Sequence, residues 1–380
     1  MEFKPMSVRK RVLPSGLTTW QVDYRDGSGV RRHRQFDTKR DADAYNVQAR
    51  SEIAFGIHTP DSASITVEQA ADLWIERCEA DGLEAATILD YKQHLKLHIR
   101  PFIGAVKLTR LTVPAVNAFR DQLGDAGRSL DMIRRVMKSL AAIVGEAQGR
   151  GLVAINNVRL ANKQRRQRNK RGDGARPMMP TKDELKAIIT HTPDEHRPLI
   201  LTALFAGLRG SELRGLAWPN VDLRRGRINV VQRADRYNRI GPTKSKAGTR
   251  TIPMAPLLLN ALKAWKLKCP VGELGLVFPN GAGNVENHSN LLWRVFWPIQ
   301  IAAGVTVISN DRVPDAKYSL HALRHAAAAL WIEQGFGPKR IQELMGHSTI
   351  ATTFDLYGYL FDQGEADTAA MAQVAARLLD

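Results

Sequence analysis

The chain has 380 residues, enough for two or three domains that each bury a core, and its 44% hydrophobic and 24% charged residues exclude a disordered or fibrous chain. Lys and Arg total 55 against 38 Asp and Glu, a formal charge of +17 that exceeds what solubility requires and points to a polyanionic partner. Two distant cysteines, Cys78 and Cys269, offer neither a disulfide framework nor a zinc knuckle. With no apolar leader and no run near the roughly 18 residues that span a bilayer, the chain is expected to be soluble and cytoplasmic, without membrane contact.

Residues 7 to 36 predict a small three-stranded sheet, because Trp20, Val22 and Tyr24 alternate with polar residues and Pro14-Ser15-Gly16 and Asp26-Gly27-Ser28-Gly29 supply turns. Asp37 and Thr38 offer an N-cap for a helix to about Arg50 that covers one face through Ala42, Tyr45 and Ala49. Arg9, Lys10, Arg11, Arg31, Arg32 and Arg34 crowd the strands, where a solvated sheet face could present them to DNA or simply to water. From Thr66 the pattern turns helical: Thr66 and Gln69 have capping-box spacing ahead of a stripe of Val67, Ala70, Ala71, Trp74 and Ile75. Helices over 84–99, 112–123 and 129–148 complete an all-helical unit, divided by Pro101, Gly104, Gly124 and Gly127.

A change of character comes next. Lys163, Arg165, Arg166, Arg168, Lys170, Arg171 and Arg176 stand with Gly172 and Gly174 among almost no apolar residues, which predicts a basic linker over 161–178 with affinity for phosphates. Pro180, Thr181 and Glu184 then mark a capped helix start, and a mixed α/β pattern runs on, with strands at 227–232 and 249–253. Apolar helical stripes run through Leu199 to Leu208, Leu257 to Trp265, Leu291 to Ala302 and Ala326 to Ile332.

Breaking and resealing a DNA strand without an energy cofactor needs a nucleophile that stores the phosphodiester bond and cations that neutralise the phosphoryl oxygens, for which the arginine fork is best suited. Arg209 lies in Gly207-Leu208-Arg209-Gly210-Ser211-Glu212-Leu213, where Gly207 should end one helix and Ser211 can cap the next. His321-Ala322-Leu323-Arg324 comes later, then Gly346-His347-Ser348 and Tyr357-Gly358-Tyr359. Singly each residue suits an ordinary structural role. As an ordered Arg, His-x-x-Arg, Gly-His and Tyr series, they resemble the catalytic domain of the tyrosine recombinases, the phage-integrase family. Trp218 and Asp222 after the first Arg, the stretch from Leu344 to Thr353 and the ten-residue step from His347 to Tyr357 fit the same pattern.

The resemblance implies that Arg209 and Arg324 clamp a scissile phosphate, that His321 and His347 hydrogen-bond to it, and that Tyr357 attacks it to form a 3′-phosphotyrosyl link. A lysine in a hairpin ahead of a strand ending in Pro is also implied. Lys244 in Pro242-Thr243-Lys244-Ser245-Lys246 fits that place, with Lys246 as rival, and its ammonium could protonate the departing 5′ oxygen. Ala322 stands where many relatives have an acidic residue, and Tyr359 where many have a second His, which makes Tyr359 an alternative nucleophile. His321, His325 and His347 could suggest a metal, but no Glu, Cys or Asp completes a ligand set, so neither metal nor cofactor is expected. Trp218, Trp293 and Trp297 are read as core.

The expected architecture is multidomain. A small α+β arm-binding domain spans 1–60, an all-α core-binding domain 61–160, a mixed, mainly helical α+β catalytic domain 179–362 and a helical tail 363–380. The expected partner is double-stranded DNA at core-type and arm-type sites, contacted by Arg31, Arg32, Arg34, Arg165, Arg166, Arg168, Lys170 and Arg171. A homotetramer on DNA is implied, with DNA-bending accessory proteins as further partners and the tail docked on its own or a neighbouring subunit. Integration or excision of a phage or other mobile element is the expected activity. Resolution of chromosome or plasmid dimers, a type IB topoisomerase-like relaxing reaction and a binding-only regulator are the alternatives.

Overall fold

In the computed structural model the described residues are 7–26, 29–54, 58–168, 177–308 and 313–361. Alternating side chains build β1 (Ser7–Val12), β2 (Thr18–Arg25) and β3 (Arg31–Phe36) into one antiparallel sheet. Its register pairs Val8 with Val22, Trp20 with Phe36 and Tyr24 with Arg32. The helix α1 (Lys39–Ala54) buries Ala42 and Ala49 and, with Val22 and Tyr24, closes a small core.

Next comes α2 (Val67–Ala80), whose expected capping box is formed: Gln69 N donates to Thr66 Oγ1 at 3.2 Å and Thr66 N to Gln69 Oε1 at 2.9 Å. Helix α3 (Ala85–His94) runs into a π-helical turn, Leu95–Ile99, and then α4 (Arg100–Ile103), where Pro101 cannot donate a backbone hydrogen bond. Helices α5 (Val113–Asp125), α6 (Leu130–Gly149) and α7 (Asn157–Arg168) complete this part around Trp74, Ile99, Phe119, Leu140 and Ile143. The chain remains helical through Arg168, so the first part of the expected linker is instead the end of α7, and 169–176 lies outside the described residues. Backbone packing divides the chain into two units, 1–172 and 173–380.

The second unit opens with α8 (Lys182–Thr190), capped by Thr181 with Glu184 as read from the sequence. It continues through α9 (Arg197–Phe205), α10 (Gly210–Arg214), β4 (Val221–Asp222) and β5 (Arg227–Val230). Beyond these lie β6 (Gln232–Ala234), β7 (Ile240–Pro242), β8 (Arg250–Pro253) and α11 (Pro256–Lys266). After α12 (His288–Asn290) and a second π-helical turn, Leu291–Phe296, come α13 (Trp297–Ala302), β9 (Thr306–Ile308) and β10 (Pro314–Ala316). Three helices end the described chain: α14 (Leu320–Glu333), α15 (Pro338–Met345) and α16 (Ile350–Tyr357).

Strands β4, β5 and β8 form an antiparallel sheet in that order, with Ile228 opposite both Val221 and Ile252. Apolar on every side, α9 is buried against α11 and α14. Around it pack Ile228, Ile252, Leu262, Phe296 and Leu323, and a smaller cluster joins Ala328, Ile332, Ile341 and Met345 to Tyr357. The fold is thus multidomain and mainly helical with small sheets, as expected. One aromatic differs: Trp218 and Trp297 are half-buried, but Trp293 is 67% exposed, because it stands on the outer side of the π-helical turn whose inner side is taken by Leu291 and Phe296.

Candidate active site

Two glycines in left-handed backbone conformation set up the site. Gly207 (φ +56°) comes just after α9 and Gly346 (φ +63°) ends α15, and each turn leaves carbonyls that the next helix cannot use. Arginines use them. Arg324, buried on α14, donates through Nη1 to Gly207 O at 2.5 Å and through Nη2 to Met345 O. Arg209 donates through Nη2 to Gly346 O at 2.9 Å. The two guanidinium groups expected to share a task are therefore both held at the Gly346 turn, and that of Arg324 at the Gly207 turn as well.

Between them lies Glu212, with 2% of its side chain exposed. It accepts from Arg209 Nη1 at 2.7 Å and, as a fork, from Arg250 Nη1 and Nη2 at 3.1 and 2.8 Å, while Arg324 Nη1 stands 4.0 Å away. Burial pushes its carboxyl pKa up, but the Arg250 hydrogen bonds and the charges of Arg250, Arg209 and Arg324 outweigh this and hold it at about 2. Arg209 is itself the N-cap of α10, and its backbone N–H is satisfied by Glu212 Oε2 at 2.9 Å. Ser211, expected as the cap, sits inside the helix instead. Burial and the nearby Arg209 lower the Arg324 pKa to about 9, a value that an added phosphate anion would raise.

His321 and Arg324 share one face of α14; part of the His321 ring reaches solvent, but the groups packed around the rest of it desolvate it and, with the charges of His325, Arg324 and Arg209, lower its pKa. His347, the residue after Gly346, is buried and hydrogen-bonds through Nδ1 to Thr353 Oγ1 at 3.0 Å, which fixes its ring. Burial first, then Arg324 and Arg209, bring its pKa down to about 4, so it is neutral at pH 7. Tyr357 ends α16 with 0% exposure; its ring lies nearly parallel to that of His347, at 6.4 Å and 10°. Burial raises the phenol to about 12, against the opposing charge of Arg324. Tyr359 is half-buried in the next turn.

Lys244 and Lys246 are both exposed on the loop from β7 to β8, which Thr243 Oγ1 closes through Ser245 O and Thr249 Oγ1, each at 3.0 Å. This loop abuts the Gly346 turn: a Cβ on Gly346 would lie 2.9 Å from Ala247 O. The strand after it carries Arg250, whose Nε donates to Leu344 O at 2.7 Å. Arg209, Arg324, His321, His347 and Tyr357 are thus brought together, with the lysine loop beside them. Sequence reasoning missed Glu212, Arg250, Thr353 and His325. Glu212 and Thr353 are visible in the sequence only as letters of a motif, Arg250 only as a residue of the predicted strand 249–253, and His325 only as a possible metal ligand.

The expected DNA-facing arginines of the sheet do not lie on one face. Strand alternation puts Arg31 with Arg9, Arg11 and Arg25 on the open face. Arg32 and Arg34 fall on the face that α1 covers: Arg32 Nε donates to Asp26 Oδ2 at 2.8 Å, and Arg34 stacks over Tyr45 at 4.7 Å with Asp61 at 3.8 Å. Arg165, Arg166 and Arg168 belong to the last turns of α7, while Lys170 and Arg171 lie outside the described residues. Among the described residues no helix is long and apolar enough to cross a membrane, and no three His, Cys, Asp or Glu side chains are grouped to hold a metal ion.

Residues 179–363 match the phage integrase family model, and residues 66–124 match the phage integrase N-terminal SAM-like domain. The chain belongs to the phage integrase family. This tyrosine recombinase is 25% identical over 400 residues to a XerC-like tyrosine recombinase of Caldanaerobacter subterraneus, covering 93% of this chain and 96% of that one. The ICEBs1 integrase of Bacillus subtilis is 24% identical over 323 residues, covering 81% and 83%. In fold, the recombinase resembles the Tn1549 transposon integrase solved in complex with a circular intermediate DNA, with a TM-score of 0.67 at 19% identity over 82% of this chain and 100% of that one.

Proposed function

We propose that this recombinase cleaves double-stranded DNA by attack of Tyr357 on a scissile phosphate clamped by Arg209 and Arg324. The observation that carries this reading is the anchoring of both guanidinium groups at the Gly346 turn, through Gly346 O for Arg209 and Met345 O for Arg324, with a buried tyrosine hydroxyl in the electrostatic field of Arg324. His321 and His347, each favoured in its neutral form, hydrogen-bond the phosphoryl oxygens, and Lys244 protonates the departing 5′ oxygen. The 3′-phosphotyrosyl link conserves the bond energy until the 5′ hydroxyl of a partner strand reverses the step.

Joining two duplexes uses four such nucleophiles, hence a tetramer on DNA, with DNA-bending proteins as further partners. Residues 61–160 grip core-type DNA together with the catalytic part, and the sheet of the first 60 residues reads arm-type sites through the open face carrying Arg9, Arg11, Arg25 and Arg31. That additional sheet favours integration and excision of a mobile element over dimer resolution. The test is a Tyr357→Phe variant on a duplex from the sequence flanking its gene. It is expected to bind as the parent does and to give no covalent adduct on a denaturing gel; an adduct at the parental level would contradict the assignment.

A further inference from the structure

The Tyr357 hydroxyl lies 2.7 Å from Nδ1 of His325, a residue to which the family resemblance assigned no part in the reaction. A phenol this deeply buried keeps its proton at neutral pH and must release it as its oxygen bonds to phosphorus. Arg209, Arg324 and Lys244 are cations without a free lone pair. His347 commits Nδ1 to Thr353 and lies parallel to the phenol instead of meeting its hydroxyl edge-on. His321 meets His325 edge to face, 4.8 Å between ring centres.

Resting on the assignment of Tyr357 as nucleophile, we infer that His325 is the base that receives the tyrosine proton. As the Tyr357 oxygen bonds to phosphorus, its proton passes to His325 Nδ1, the bond from phosphorus to the 5′ oxygen breaks, and that oxygen takes a proton from Lys244. In rejoining, the 5′ hydroxyl returns its proton to the lysine amine and the imidazolium returns the other to the phenol. The titratable groups beside His325 are His321 and Arg324 on its own helix, Tyr357 on α16 and His347 in the turn before α16; Arg209 acts on His321 and His347, and Tyr359 on Tyr357. Burial, with Arg324 beside it, favours the neutral imidazole and so keeps the Nδ1 lone pair available.

The experiment is single-turnover cleavage by the full chain of a duplex on which the parent forms an adduct, made with oxygen or with bridging sulfur at the 5′ position of the scissile phosphate. His325→Ala is expected to cleave both about 100-fold more slowly, with a rate that climbs with pH as the phenol ionises and is partly restored by added imidazole. Lys244→Ala should recover on the sulfur substrate, since a thiolate departs without a proton. His325→Gln keeps a hydrogen-bond acceptor but no base and should match His325→Ala, with thermal unfolding confirming that both variants fold. Parental rates in His325→Gln, or a slow His325→Ala whose rate keeps the parental pH dependence, would overturn the inference and leave only a positioning role. An adduct formed by Tyr357→Phe would instead overturn the underlying choice of nucleophile.

Discussion

Glu212 ties three arginines to one buried carboxylate, so its removal leaves guanidinium charge in the interior without a counter-ion. Glu212→Gln is expected to cost about 3–5 kcal/mol in urea unfolding of the recombinase; a loss below about 1 kcal/mol would mean that solvent, not this carboxylate, balances Arg250 and Arg324. The same residues set the acid response. The buried His347 has its pKa lowered from 6.5 to about 4 and Glu212 from 4.5 to about 2, so in both cases the unfolded chain binds a proton that the folded chain refuses. Stability should therefore hold above pH 6.5, decline from 6.5 towards 4 and fall further between 4.5 and 2; His347→Asn should make the first decline shallower while leaving the share of His321, whose pKa is lowered over the same range, as denaturant midpoints measured across pH would show. Arg209, Arg324, His321, His347 and Tyr357 were legible because their order and spacing form a recognisable series. The hub was not: Glu212 shows its local link to Arg209 three residues away, whereas Arg250 reaches it across 38 residues.

Short elements turn those residues inward, and the glycine turns are what make the elements short. A Cβ on Gly346 would have to share space with Ala247 O at 2.9 Å and Arg250 Nη1 at 3.1 Å in a conformation that side chains resist. Gly346→Ala is expected to lose about 1–3 kcal/mol and to slow adduct formation more than it weakens DNA binding, because Gly346 O positions Arg209; equal losses in both assays would argue against that positioning role. Thr353→Val should likewise slow cleavage with affinity intact, since it frees His347. Periodicity revealed the long helices and the two strands nearest the core. It could not reveal β6 and β7, three residues each, nor the two π-helical turns, which rotate the facing of the helix beyond them and leave Trp293 outside. On the sheet, composition showed many arginines, but only the register showed that Arg32 and Arg34 lie on the same side of the sheet as α1.

Across the whole molecule, the charge of +17 is a long-range property that no single contact expresses. Its consequence is affinity dominated by phosphate neutralisation, so anisotropy titrations on a labelled duplex should show binding weakening by roughly 10³-fold or more between 50 and 200 mM salt. Near-constant affinity over that range would point to a much smaller phosphate footprint. The expected tail, 363–380, and the glycine-containing part of the linker lie outside the described residues. At the heart of the chemistry, the oxygen of Tyr357 is expected to become bonded to DNA. Trapping the recombinase on a nicked duplex, digesting protein and DNA, and locating the residual nucleotide by tandem mass spectrometry tests it most directly. The added mass is expected on Tyr357; the same mass on Tyr359, or on no tyrosine of α16 and the turn after it, would rule Tyr357 out as the nucleophile.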